Sequence, residues 1–379
     1  MWKIPLFDLN YDAREQEAVS EVLKSKWLSA GEKTAAFEKE FGKYLGIGIH
    51  CCAVSNGTAA LHLALLSQGI GLGDEVIISG LTFVADLNVV MLTGARPVTA
   101  DIKSFDDWNV DPRDIEKKIT KKTKAVIVVH YAGWPCDMDE IREVCKKNRL
   151  ILIEDAAHSP GAEYKHQKCG TLGDCGCFSF FSNKNLSTGE GGMITSGNPD
   201  LIRKIKLMRS HGMTSMTIDR HQGRSISYDI VVPGLNYRID EIKSALGLVQ
   251  LKKLNSANTR RRQLIRIYIE HLKGINAITI PWKTFPGDRI TSGHIFPILL
   301  DAGVDRLGLI QALKSKGIQT SIHYPAMNEF EYYRKILNQP LATADQVSKR
   351  MVTLPLYPDL APEQIETICN EIKFFLTQN

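Results

Sequence analysis

The spacing of apolar and polar residues changes character twice along this chain. Between residues 11 and 45, "DAREQEAVSEVLKSKWL" and "EKTAAFEKEFGKYLG" place apolar residues three and four apart, which predicts amphipathic helices. From residue 50, short apolar runs alternate with helical patterns. "HCCAVS" (50–55), "DEVIIS" (74–79), "KAVIVVHYAG" (124–133), "LILIEDAAHS" (150–159), "GCFSFFS" (176–182) and "GGMITSG" (191–197) are strand-like. "TAALHLALLSQG" (58–69), "VADLNVVMLTG" (84–94) and "DMDEIREVCKKN" (137–148) are the helices between them. Strands that are apolar on both faces belong to a mostly parallel sheet covered by helices on either side. The expectation is an α/β fold to about residue 250. One long helix over 239–272 then leads into a smaller, less regular C-terminal α+β domain. The division expected is 1–250 and 251–379, with the helices of 11–45 as candidates to pack on the smaller unit.

Composition adds mainly exclusions. With 379 residues, 44% apolar and 23% charged, the chain is an ordinary globular one of about two domains. Its net charge of +5 is spread among acidic residues, so no basic stripe for nucleic acid forms. Eight cysteines include no CxxC pair, which argues against a zinc site and for buried thiols in a reducing compartment. The N-terminus lacks a leader-like apolar core, and no run of 18 apolar residues occurs; the expectation is a cytoplasmic protein without a membrane partner.

In an open parallel sheet, ligands bind beyond the carboxyl ends of the strands. The polar residues that follow each apolar run therefore become candidates. Asn56, Gly57 and Thr58 open a helix where free N–H groups suit a phosphate, although an ordinary helix cap reads the same way. Thr82 and Phe83 leave another strand, and the ring is placed to stack on a planar group or to join the core. Asp155 ends a strongly apolar run, where a carboxylate needs a positive partner such as a protonated pyridine nitrogen, or else caps the next turn. His158 either contacts a ring substituent or packs. In "FSFFSNKNLSTGEGGM" the single Lys184 stands among hydroxyls and glycines, and a lysine sheltered from water becomes a usable nucleophile and base. A phosphate site, a buried acid, a stacking ring and a sheltered lysine together fit pyridoxal 5'-phosphate.

The stretches "KWLSAGEKTAAFEKEFGKYLG", "VSNGTAALHLAL", "HYAGWPCDMDEI", "IEDAAHSPGAEY", "FSFFSNKNLSTGEGGM", "RSHGM", "GLNYRIDEIKSALGLVQL" and "SIHYP" resemble the DegT-type nucleotide-sugar aminotransferases over nearly the whole chain. The resemblance implies the fold-type I aminotransferase architecture, with Lys184 as the Schiff-base lysine and Asp155 as the partner of the pyridine nitrogen. It places His158 near the cofactor's phenolic oxygen and Phe83 over its ring, with Gly57, Thr58 and Ser179 at its phosphate. It further implies a homodimer with shared sites, in which Asn236 reaches the neighbouring subunit's cofactor phosphate. Trp27, Arg209, His211, Arg238, His323 and Tyr324 are the substrate-side candidates, and the basic segment 209–224, with Arg220 and Arg224, is either a diphosphate contact or a solvated loop. The implied reaction moves an amino group from glutamate to a keto-sugar of a nucleoside diphosphate, 4-keto and UDP- or dTDP-linked by preference. The alternatives are a 3-keto sugar aminotransferase and a sugar dehydratase of the same fold. Dehydrating members carry histidine at the lysine position, and this chain keeps Lys184.

Overall fold

The computed structural model describes residues 2–215, 223, 225–284, 287–337 and 341–378. Its centre is a seven-stranded sheet. In chain order the strands are β1 (His50–Val54), β2 (Glu75–Ser79), β3 (Arg96–Ala100), β4 (Thr123–Val129) and β5 (Ile151–Asp155). After a small finger, β6 (Glu163–Tyr164) and β7 (Gln167–Lys168), come β8 (Cys175–Ser179) and β9 (Gly192–Ser196). The order across the sheet is β1-β9-β8-β5-β4-β2-β3. β9 is antiparallel to both neighbours, and the remaining pairs are parallel. Six strands therefore point their carboxyl ends to one side, and only β9 runs back. The mostly parallel sheet expected from the apolar runs is present.

Helices cover both faces. α1 (Ala13–Ser25) and α2 (Glu32–Leu45) precede the sheet, α3 (Gly57–Ser67) follows β1, and α4 (Val84–Leu92) follows β2. α5 (Pro112–Lys118), α6 (Met138–Asn148) and α7 (Pro199–Met208) fill the later connections. α3 begins where Asn56 Oδ1 accepts from Ala59 N at 2.7 Å. It is apolar almost all round, because sheet, α4 and α7 enclose it. Phe37 and Phe41 of α2 are wholly buried against Phe178 of β8 and Phe180 just beyond it. α1 and α2 also lie along the long helix α8 (Glu241–Leu272). α2 thus docks on the large sheet and on α8, and α1 on α8, the helix that runs through the expected boundary. What does join the smaller unit from the N-terminus is Ile4, which bridges to Ile318 and enters its core.

α8 serves two cores. Leu254 packs with the large sheet, whereas Leu264, Ile265, Tyr268 and Leu272 belong to the apolar cluster of the C-terminal part. The expected division at 250/251 therefore falls inside one unbroken helix. Beyond it, β10 (Ile278–Thr279), β12 (Phe296–Leu300) and β13 (Met351–Leu354) form a three-stranded antiparallel sheet. β11 (Arg289–Ile290) instead pairs with the β6–β7 finger. α9 (Arg306–Ser315), α10 (Ala344–Arg350) and α11 (Pro362–Gln378) complete the chain. Among the described residues no helix is long and apolar enough to cross a membrane, and all eight cysteines are free and buried.

Candidate active site

The carboxyl ends of β1, β2, β4, β5 and β8 open onto one cavity of about 680 Å³. Its lining includes Gly57, Thr58, Phe83, Asp155, His158, Ser179, Lys184, His323 and Tyr324, nine of the candidates read from the sequence. Asn56, Phe181, Asn183, Glu190 and Tyr237 line it as well.

Lys184 is not on the strand itself. β8 stops at Ser179, short of the run to Ser182 that apolar spacing suggested. The chain then arches over residues 180–191 and is tied at its feet by Phe180 N to Gly191 O and Thr188 N to Phe180 O, at 2.8 and 2.9 Å. Within the arch Lys184 N donates to Phe181 O at 2.9 Å, which turns the side chain into the cavity. Burial lowers the ammonium to about 8, and the Asp155 carboxylate acts against that shift.

Asp155 ends β5, with its Oδ1 accepting from Ala157 N at 2.9 Å. Burial pushes this carboxyl up; the Ala157 N–H, Lys184 and His130 act in the opposite direction. Behind it Asp86 is fully buried and takes a 2.5 Å hydrogen bond from Thr82 Oγ1, while its Oδ1 has no partner. Burial first, then Asp155, raises Asp86 well above the carboxylate range. Two buried carboxyls that repel one another do not both ionise. The one with an N–H donor and a neighbouring lysine is Asp155, so Asp155 carries the charge and Asp86 stays protonated.

One residue earlier, Glu154 is fully enclosed. Its oxygens face His130 Nε2 at 2.8 Å and accept from the N–H groups of Gly170, Leu172 and Gly173 at 2.6–2.7 Å. His130 Nδ1 in turn accepts from Cys136 N at 3.1 Å. His130, Glu154 and Cys169 lie close enough to hold an ion, but these hydrogen bonds occupy the carboxylate and both ring nitrogens. The network braces the strand end that carries Asp155.

On the opposite wall His158 Nε2 lies 2.8 Å from Tyr324 Oη, and His158 Nδ1 is buried without a partner. Burial drives His158 far below the histidine range and His323 down to about 4, with Lys184 adding to both shifts. Phe83 is 49% exposed at the mouth, its ring 5.3 Å from that of Tyr324.

The cavity suits pyridoxal 5'-phosphate. The N-terminus of α3 presents the N–H groups of Gly57 and Thr58 beside Ser179, where a side chain at position 57 would come within 2.8 Å of Ser179 Cβ. A buried acid, a lowered lysine and an orphaned imidazole nitrogen complete a donor set matched to a phosphorylated, protonated pyridine aldehyde.

The other candidates lie elsewhere. Arg209 caps α7 and is 4% exposed; its Nη1 donates to Glu38 Oε1 at 2.7 Å and to Ala53 O at 2.6 Å. It borders a separate groove of about 910 Å³ between α2, β1 and α7 and does not line this chain's own cavity. Trp27 lies in the α1–α2 connection, half-buried, away from the cavity. His211 adopts φ 62° just past α7, and Arg238 Nη1 donates to Ser210 Oγ at 2.9 Å. Asn236 bridges to Ser210. None of these three lines this chain's own cavity. Arg220 and Arg224 lie outside the described residues.

This fold and this cavity define an aminotransferase of the fold-type I architecture, and the chain belongs to the DegT/DnrJ/EryC1/StrS aminotransferase family, whose profile matches residues 10–373. It is 38% identical to the spore coat polysaccharide biosynthesis protein SpsC of Bacillus subtilis, over 95% of this chain and 93% of that one. It superposes on S. venezuelae DesV, solved in complex with a ketimine intermediate, with a TM-score of 0.90 at 31% identity over 99% of both chains. A putative sugar aminotransferase from Streptococcus pneumoniae in its PLP-form gives 0.91 at 28% identity, over 100% and 98%.

Proposed function

We propose that the protein transfers the amino group of glutamate to the keto carbon of a nucleoside-diphosphate sugar, a 4-keto sugar linked to UDP or dTDP, using pyridoxal 5'-phosphate. The observation that carries this reading is Lys184, lowered to about 8, facing the buried carboxylate of Asp155 at the mouth of the α3 N-terminus. When bound, the cofactor supplies an electron sink that stabilises negative charge on the carbon losing a proton.

Lys184 Nζ is the amine that would hold the cofactor's aldehyde, and once an amino donor had taken that place it would stand free in the cavity. With its pKa lowered to about 8, Nζ takes a proton from the donor's α-carbon and later returns one to the former keto carbon of the sugar. The balance is simple: glutamate leaves as 2-oxoglutarate, and the ketone becomes an amine. With the cofactor bound, Asp155 would keep a proton on the ring nitrogen, Phe83 would cover the ring, and His158 would lie near its oxygen. Gly57, Thr58 and Ser179 would hold the phosphate by hydrogen bonds. A second subunit would add a further hydrogen-bond donor there. Asn236 does not line its own cavity, and Ile226, Tyr228, Ile230 and Val231 just before it are half to fully exposed, as an interface segment would be. His323 and Tyr324 face the sugar nucleotide.

The test is direct. Purified protein given the cofactor should absorb in the visible, change when glutamate is added, and be trapped by borohydride at Lys184. A panel of 3-keto and 4-keto nucleotide sugars with glutamate, read by mass, should yield an amino sugar with a 4-keto member. Amination of 3-keto sugars alone, or deoxygenation without consumption of glutamate, would replace this reading.

A further inference from the structure

His294 stands just before β12, on the small-sheet side of the cavity, yet its ring reaches the lysine. Its Nε2 lies 3.5 Å from Lys184 Nζ. The hydrogen bonds behind the ring leave one tautomer. Asn185 Nδ2 donates to Asn258 Oδ1 at 2.8 Å and to Ser292 O at 2.9 Å, which uses both amide protons. Asn258 Nδ2 donates to Pro160 O at 2.8 Å, so its own Oδ1 is the acceptor. Asn185 Oδ1 then faces His294 Nδ1 at 2.9 Å, and an amide oxygen only accepts. Nδ1 must carry the ring hydrogen.

In a neutral ring that leaves Nε2 as a lone pair turned toward Lys184. A second ring proton is opposed by burial and then by the groups around it: His158 with its centroid 4.3 Å away, Lys184, Arg261 from α8, and His323. Asp155 is the carboxylate acting on the lysine.

We propose that His294 is a positioning residue that holds the Lys184 amine through the Nε2 lone pair, in the tautomer that Asn185 imposes. It rests on Lys184 being the reacting amine. An uncharged acceptor fixes where Nζ sits without binding its proton as tightly as a second carboxylate would. The amine stays aimed at the reacting carbon and remains easy to deprotonate.

The experiment uses cofactor-free full-length protein. Lys184 is labelled with trace acetic anhydride across a pH series, and its peptide is quantified by mass. The wild type should titrate near 8. His294→Asn keeps an amide able to donate to Asn185 but is too short to reach the lysine. Without that acceptor for the ammonium form, the apparent pKa should fall by roughly one unit. His294→Gln, whose Oε1 extends to the Nε2 position, should restore it. Circular dichroism checks that both variants fold. Should His294→Asn not fold, Asn185→Leu leaves the ring in place, releases its tautomer and should shift the lysine the same way. An unchanged or raised pKa in the asparagine or leucine variant overturns the proposal, as does a glutamine variant that falls equally far. If wild-type Lys184 never takes up the cofactor under borohydride, the reading of the reaction fails, and the labelling still decides what His294 does.

Discussion

Arg209 separates two accounts of one residue, and its replacement decides between them. In Arg209→Leu, Glu38 loses a 2.7 Å partner inside the protein, and Ala53 O loses a 2.6 Å donor. Glu38 also accepts from Ala53 N at 2.9 Å, so the cluster ties α2 and α7 to β1. Removing one partner of a buried pair costs about 3–5 kcal/mol. Lys206 still reaches Glu38 at 2.6 Å from a half-exposed position, which places the loss near the lower end, about 3 kcal/mol. For an m-value near 3 kcal/mol/M, the urea midpoint should fall by roughly 1 M at fixed protein concentration. The double replacement with Glu38→Leu should recover most of it, because the stranded charge is gone. Burial raises the Glu38 carboxyl, but Arg209 and Lys206 together hold it below its ordinary range. The wild-type contribution is therefore complete above the ordinary glutamate pKa and is lost as pH falls through the lowered value. The gap between wild type and Arg209→Leu should narrow only there. The KM for the keto-sugar should stay within a few fold. An unmoved midpoint together with a tenfold higher KM would refute this and return Arg209 to the substrate.

Three other outcomes follow from the cavity. The rate at which cofactor-free protein captures the aldehyde should rise about tenfold per pH unit below 8 and level off above it, as Lys184 loses its proton; stopped-flow absorbance that is flat from pH 6 would contradict this. Asp155→Asn should still be trapped at Lys184 by borohydride, while kcat for the amino donor falls by roughly 10²–10³-fold, measured by single-turnover absorbance; an unaltered kcat would remove Asp155 from the ring nitrogen. Gly57→Ala forces a methyl group to 2.8 Å from Ser179 Cβ, a crowding worth about 1–3 kcal/mol. Cofactor affinity, measured by fluorescence titration, should drop roughly tenfold, and unchanged affinity would move the phosphate away from α3.

Most of the large sheet was legible because its strands are apolar on both faces. β3 escaped notice: its "RPVTA" contains Pro97, which is tolerated because β3 is an edge strand. α5 also hid, a seven-residue helix starting with a proline behind an Asp cap, whereas α7 carries Ile202, Ile205 and Met208 on one face and was there to be read. Looking for polar residues after each strand led to Gly57, Phe83, Asp155 and Ser179, all of which face the cavity. The same rule could not find His294, which comes before its strand, or Glu190 and Tyr237, which loops deliver. Lys184 stood out through its surrounding motif, since its arch leaves no periodic trace. The ion pair of Arg209 was not legible because its partner Glu38 lies 171 positions away. Local sequence shows a charged residue well and shows its counter-ion poorly.

The shared helix α8 limits how this enzyme can breathe. It has no proline, and its single glycine, Gly247, is pressed against the Phe37 ring, where even a Cβ would come within 2.5 Å. A rod of about 48 Å that is rooted in both halves offers no joint. Any opening of the cavity must then come from the peripheral loops, while the elements that carry Lys184 and Asp155 stay in one fixed frame.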